Sequence, residues 1–434
     1  MIDERVFMGG NHAAELQPIE VYRSRRRRVQ ALLPAGGVAV VLGASDDRGY
    51  GDVGTFRQES NFFYLTGVEL PNAALIMTPD SESLVLPARR PALEAWTGPK
   101  FGPGPDAAAA LGFEEVVDRD GGEIVVDARR RPQPSFSDRV AGLLGTGATL
   151  WVLLPGAASG ELTPEQELAR MLRDRLASFA VRDLAGIVTE MRLVKDEGEI
   201  ALLTKAVAAT MVAQRAAAST VGAGVREGAL DGAAFAALRS AGAEGWSFPP
   251  IVGAGKAGCI LHYDANLGVL ADGELVVVDI GARHGYYCGD LTRTLPVSGQ
   301  FSPRQRELYA AVLEAYDAAV ATLRPGSTIA AARQAAFAAL EAARPRGDDG
   351  RTLGQFFIHG LGHFLGLDAH DAGGEAPSLV PGMVVTVEPG IYLPGEGIGI
   401  RVEDDYLITA SGAVNLSREL PRDIAGVEAL AAPR

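Results

Sequence analysis

Hydrophobic positions in the first part of this chain fall in short runs separated by polar turns. Over 20–33 they recur at helical spacing, and that period puts Arg25 to Arg28 on a solvated face. Runs over 37–42, 61–65, 73–77 and 83–86 are nearly continuous and read as β-rich segments. A further strand-like run over 149–154 precedes a helical pattern over 163–176. There Thr163-Pro164-Glu165-Gln166 supplies a cap, a proline in the first turn and the amide of a capping box. Strands alternating with short helices predict a small α/β domain over 1–178, with this last helix and 181–193 forming the hinge.

From Asp196 the period lengthens. Asp196 as cap, with Glu199 at the third helical position, predicts an amphipathic helix over 196–219. Two more are expected over 302–323, opening on Ser302-Pro303-Arg304-Gln305, and over 327–343. Hairpin-like segments lie near 275–295 and 384–409. Helices, hairpin, helices, hairpin is a duplicated α+β layout, expected to fill 179–434, although no long stretch of sequence repeats itself.

Composition narrows the function classes. A chain of 434 residues exceeds what one hydrophobic core normally accommodates, in keeping with two domains. A formal charge of -14 argues against nucleic acid or anionic membranes as partners. Two cysteines, Cys259 and Cys288, are too few for a disulfide framework. The opening MIDERVFMGG carries acids and lacks the apolar run of a secretory signal. Apolar stretches elsewhere are too short or too interrupted to span a bilayer, so a cytoplasmic protein is expected.

The segment from Leu275 to Thr294 holds the first candidate chemistry. Its two apolar runs read as strands joined by a turn at His284-Gly285. That turn would set Asp279 directly opposite Asp290, and Val277 opposite Thr292 on the same face. Directly opposed side chains have Cβ atoms about 4.5–5.5 Å apart, so two carboxylates there repel unless something positive lies between them. A pair of divalent cations about 3.5–4 Å apart removes that cost, and the Thr292 hydroxyl is placed to orient a ligand.

Three of the six histidines crowd into His359-Gly-Leu-Gly-His363 and the nearby His370. The glycines argue against a regular helix and let backbone and imidazoles approach a bound object closely. One histidine as ligand, with the others handling protons or substrate, suits such a loop better than three ligands. Further on, Glu388 ends an apolar strand, a costly position unless it is paired or metal-bound. Arg401 and Glu403 share a strand face, and Asp405 lies on the same side as Glu403, so spacing does not choose between those two acids. Asp279, Asp290, His363, Glu388 and Glu403 together offer four carboxylates and one imidazole. Their charge balances two divalent cations, and the oxygen-rich set suits Mn²⁺, with Co²⁺ or Zn²⁺ as alternatives.

With these residues the chain resembles the proline-specific metallopeptidases of the creatinase and methionine aminopeptidase superfamily, whose catalytic domain has the pita-bread fold. It is most similar to the bacterial Xaa-Pro aminopeptidase (aminopeptidase P) family, with Xaa-Pro dipeptidases next. The resemblance covers nearly the whole chain, including the N-terminal stretch Phe56-Arg-Gln-Glu-Ser-Asn-Phe-Phe-Tyr-Leu-Thr-Gly67. It implies that Asp279, Asp290, His363, Glu388 and Glu403 are the five metal ligands, which favours Glu403 over Asp405. It also implies that His262 lies near the substrate amine and scissile bond, and that His359 and His370 are further active-site histidines. Arg401 would support the site from behind and Tyr392 would line it, whereas His284 carries no role.

The implied reaction is hydrolysis, by a metal-bridging hydroxide, of the bond between an N-terminal residue and a following proline. Glu388 is the expected proton shuttle, with His262 and His370 orienting peptides that have proline at position 2. The family further implies a homodimer or homotetramer. An Xaa-Pro dipeptidase restricted to dipeptides is the alternative. Methionine aminopeptidase shares a similar ligand set but needs no domain like 1–178, and a metal-free binding protein would not need the complete set.

Overall fold

A computed structural model of the chain describes residues 5, 15–45, 56–121, 123–126, 129–145, 147–154, 162–373 and 378–432. The opening segment, read above for a secretory signal, lies outside them apart from Arg5. The chain divides into two compact units, Met1–Met191 and Arg192–Arg434. The expected boundary at 178/179 thus falls earlier than the observed one. The reason is local: residues after 178 are not a plain linker, because Ala180–Asp183 pairs in parallel with Thr149–Val152 as an edge strand of the first unit.

In the first unit, α1 (Ile19–Gln30), β1 (Gly37–Leu42), α2 (Ser60–Thr66), β2 (Ala74–Met77) and β3 (Glu82–Leu86) are followed by β4 (Glu115–Asp118) and β5 (Thr149–Val152). Then come α3 (Pro164–Arg175), β6 (Ala180–Asp183) and α4 (Ala185–Leu193), whose last two residues, Arg192 and Leu193, belong to the second unit. One sheet runs β4-β3-β2-β1-β5-β6. Val38, Val40, Ile76, Val85 and Leu150 on its strands pack with Leu168 and Leu172 of α3. Two expectations need correction. The run 61–65 is helical, since Glu59 caps α2 by accepting the Phe62 amide at 2.6 Å and Gly67 closes it with φ 66°. A short run that is buried on all sides has no period to separate helix from strand. Arg25 and Arg26 are buried, not solvated: Arg26 forms an ion pair with Glu82 at 2.7 Å, and each guanidinium stacks on a ring, Arg25 over Tyr64 and Arg26 over Phe113.

The second unit opens with α5 (Glu197–Ala218) and α6 (Glu227–Ser240). The strands β7 (Ile251–Ala254), β8 (Leu275–Ile280), β9 (Ala282–His284), β10 (Tyr287–Cys288) and β11 (Leu291–Pro296) come next. After α7 (Pro303–Val320) and α8 (Ile329–Ala342) come β12 (Val384–Val387), β13 (Gly390–Leu393), β14 (Ile398–Arg401) and β15 (Asp404–Thr409). The sequence reading misses α6, whose N-cap Arg226 makes no side-chain cap and whose first turns contain Gly228 and Gly232. The boxes at Thr163, Asp196 and Ser302 are complete, each with both reciprocal bonds. Among the described residues α5 alone is long and apolar enough to cross a membrane; half of its most apolar window is buried in the unit's core, with Leu203, Ala206 and Val207 fully so.

The first hairpin turns one residue later than expected. His284 pairs with Tyr287, so the turn is Gly285-Tyr286 with φ 57° and 74°, and Asp279 faces Thr292, not Asp290. In the same way Val277 faces Thr294, not Thr292. Asp290 remains on the Asp279 face but diagonally displaced, which is still within reach of a shared ligand. The error arises because Tyr286 adopts a positive φ that a bulky residue seldom takes.

Both hairpins break midway: the first between β8/β11 and β9/β10, the second between β12/β15 and β13/β14. Gly281 sits at the first break, where a Cβ would lie 2.0 Å from Ser247 Oγ and 2.1 Å from the Gly289 carbonyl oxygen. Gly281→Ala is expected to lower stability by about 1–3 kcal/mol through overpacking. Urea unfolding measures it, and an unchanged midpoint would show that the break tolerates a side chain.

Candidate metal centre and its cavity

The breaks in the two hairpins are where acids face inward. Asp290 follows β10, Glu388 follows β12, and Glu403 precedes β15. The register that runs through the second hairpin sets Glu388 opposite Glu403. Ligand atoms of Asp290, His363 and Glu403 all lie within 4.8 Å of one another. His363 Nε2 is 3.6 Å from Asp290 Oδ2 and 3.6 Å from Glu388 Oε1. Its Nδ1 meets the Phe364 carbonyl at 3.1 Å, a bond that assigns the proton to Nδ1 and leaves Nε2 facing the acids.

A cavity of about 500 Å³ opens over these groups. Nine of the ten residues expected from the sequence line it: His262, Asp279, Asp290, His359, His363, His370, Glu388, Arg401 and Glu403. The tenth, Tyr392, stands behind them, its hydroxyl 2.9 Å from His359 Nε2 and 2.8 Å from Arg401 Nη1. Arg401 Nη2 in turn donates to Asp279 Oδ2 at 2.7 Å. Phe248, Ile251 and Leu261 form an apolar wall that sequence reasoning missed. Phe248 and Leu261 carry no signal beyond the Pro249-Pro250 pair that keeps this stretch from regular structure and the adjacency of Leu261 to His262.

Threonines stitch the two hairpins together. Thr292 Oγ1 donates to Glu403 Oε2 at 2.7 Å, and the Glu403 amide donates to the Thr292 carbonyl at 3.1 Å. Thr294 Oγ1 donates to the Arg401 carbonyl at 2.9 Å and accepts the Arg401 amide at 3.0 Å. Thr292 therefore holds the Glu403 carboxylate, although from a different register than the sequence suggests. Asp405 accepts the Asp290 amide at 3.1 Å and so faces backbone, whereas Glu403 enters the cluster.

Electrostatics test whether this set suits a cation. Burial pushes Asp290 and Glu403 well above the carboxylate range, and neighbouring carboxylates add to it. Burial likewise raises Glu388 to about 8, with Arg401 opposing. His363 and His359 are lowered to about 4, first by burial, then by His370 and Arg401 respectively. Asp279 Oδ1 is buried and makes no hydrogen bond. Converging acids, an imidazole kept neutral and a carboxylate oxygen without a donor fit a divalent-cation centre.

Two hairpins that converge on buried acids define the pita-bread metallohydrolase class. Residues 201–410 match the model of metallopeptidase family M24, and 22–126 match that of the aminopeptidase P N-terminal domain. Xaa-Pro aminopeptidase of Escherichia coli K12 is 32% identical, across 96% of this chain and 98% of that protein. The Haemophilus influenzae enzyme of the same name is 31% identical, across 95% and 97%. Among solved structures, proline aminopeptidase P II from Yersinia pestis has a TM-score of 0.84 at 31% identity, across 96% and 100%. Zn-substituted Escherichia coli aminopeptidase P in complex with product has 0.84 at 30%, across 96% and 99%. The chain belongs to the aminopeptidase P branch of metallopeptidase family M24, hydrolases with a divalent metal cofactor.

Linkage gives a pH test on the metal-free protein. Glu388, raised from 4.5 to about 8, binds more protons folded than unfolded, so its contribution is lost as pH rises through that range. The two histidines, lowered from 6.5 to about 4, act oppositely but only below 6.5. Chelator-treated protein should therefore melt at a lower temperature at about pH 8 than at about pH 6.5, and added Mn²⁺ should remove the difference. Equal melting temperatures without metal would contradict this account of the acids.

Proposed function

We infer that this protein is an Xaa-Pro aminopeptidase, which cleaves the bond between an N-terminal residue and a following proline in peptides. The observation that carries this reading is the convergence of Asp279, Asp290, His363, Glu388 and Glu403 under one cavity, in a chain similar to Xaa-Pro aminopeptidases from end to end.

In this reading those five residues hold two divalent cations, with Mn²⁺ preferred by the oxygen-rich donors. When bound, the cations supply Lewis acidity to the scissile carbonyl and acidify water. A prolyl amide has no N–H, so the enzyme must recognise the ring by shape. Phe248, Ile251 and Leu261 offer an apolar wall for it and exclude water. His262 and His370, both exposed to the cavity, orient the peptide backbone. Glu388 takes the proton from the attacking water and delivers it to the prolyl nitrogen. Tyr392 and His359, joined at 2.9 Å, brace one side of the site, and Arg401 holds Asp279 in place. The reading extends to a homodimer or homotetramer in the cytoplasm.

Glu388→Gln, with both metals confirmed bound, should lower kcat by about 10²–10⁴-fold on a proline peptide. Near-normal turnover would remove Glu388 from the proton path. On Mn²⁺-reconstituted enzyme, Xaa-Pro-Xaa-Xaa peptides should be cleaved at least as well as Xaa-Pro; cleavage of the dipeptide alone would make the protein a dipeptidase.

A further inference from the structure

The loop that carries His363 and His370 is fastened from beneath by an ionic cluster that the chemistry above does not use. Asp371 adjoins His370, and its side chain is 1% exposed between those of Arg192 and Lys195, which are 5% and 1% exposed. Its Oδ1 accepts from Arg192 Nη2 and its Oδ2 from Lys195 Nζ at 2.9 Å. Arg192 Nη2 also donates to Asp368 Oδ2 at 2.8 Å, so two acids face two cations.

The same residue closes the loop through its backbone, donating its amide to the Phe364 carbonyl at 2.9 Å. Gly366 lies against it so closely that a Cβ there would be 2.2 Å from Asp371 Oδ2. Lys195 is itself pinned, its amide donating to the Gly382 carbonyl at 2.9 Å just before the capping box of α5. At the two ends of the fastened loop the rings of His363 and His370 meet with centroids 4.1 Å apart and planes tilted by 36°.

We propose that Asp371, clamped between Arg192 and Lys195, is a positioning residue that sets the His363–His370 pair against the acids of the metal centre. A buried ion cluster adds little stability over a well-packed apolar one of the same volume. What an apolar cluster cannot do is fix a carboxylate by two charged donors from different directions, and so fix the loop that carries it. Partners that orient metal-binding histidines typically change metal affinity or activity by about 10–100-fold. The proposal rests on the reading of His363 as a ligand.

The test uses the full-length protein and compares wild type, Asp371→Asn, the double variant Asp371→Asn/Lys195→Met, and Glu82→Gln as a control. Glu82 is a buried acid of the first unit that pairs with Arg26 and does not line the cavity. Calorimetry reads Mn²⁺ affinity of the metal-free proteins, with melting temperature, kcat and KM beside it. Asp371→Asn should weaken Mn²⁺ binding about 10–100-fold and lower kcat more than it raises KM. The double variant restores charge balance, so it should regain melting temperature but not affinity. Glu82→Gln should lose melting temperature only. Mn²⁺ affinity within about twofold of wild type in Asp371→Asn, or regained together with stability in the double variant, overturns the proposal. An equal affinity loss in Glu82→Gln does the same. Wild type that neither binds Mn²⁺ nor cleaves proline peptides overturns the functional reading itself.

Discussion

The second unit is organised around an electrostatic conflict. Carboxylates of Asp279, Asp290, Glu388 and Glu403 come from separate points of two hairpins into a largely buried space, where burial and neighbouring carboxylates raise the cost of ionising Asp290, Glu388 and Glu403. Among the described residues that line the cavity Arg401 is the one lysine or arginine, and it donates to Asp279, Tyr392 and Thr292. Much of the surrounding architecture follows from holding these acids together. The hairpins break at the points where the acids turn inward. Glycine occupies position 281 because no side chain fits there, and the His363 imidazole is held neutral with one nitrogen turned to the acids. Divalent cations placed among them would resolve the conflict, and under the proposed function the same groups carry the chemistry.

The first unit solves a different problem by different means. Its sheet is sealed on one face by α3, and its α1 carries guanidiniums inward onto Glu82 and the aromatic rings of Tyr64 and Phe113. Arginine suits such burial because its planar fork satisfies several acceptors at once: Arg26 reaches Glu82, Leu65 and Gly112.

Much of this was legible in the sequence because it depends on spacing and on local caps. The three capping boxes mark helix starts through two reciprocal bonds each, and the histidine-rich loop and acidic strand ends stand out against apolar runs. What was not legible turned on tertiary context. The helix at Ser60–Thr66 is buried on all its sides, so alternation offered no guide. The turn at Gly285-Tyr286 needs a tyrosine at φ 74°, where the two amides donate to Glu244, 41 and 42 residues away in the chain and invisible to local reading. Arg25 and Arg26 looked solvated because nothing near them in sequence reveals Glu82 or Tyr64. Asp279 and Asp290 come together in either register, because the shifted turn leaves them on one face.

The threonine seam between the hairpins has a consequence for motion. Thr292 and Thr294 tie β11 to the chain at 401–403 through side-chain and backbone bonds alike, so neither hairpin can slide without pulling the clustered acids apart. Breathing in this part of the molecule must then be all-or-none. The buried amides of Arg401 and Glu403 should trade their hydrogens with solvent only when the whole joint opens, so a slow, shared exchange rate at these two positions is the dynamic signature of an intact centre.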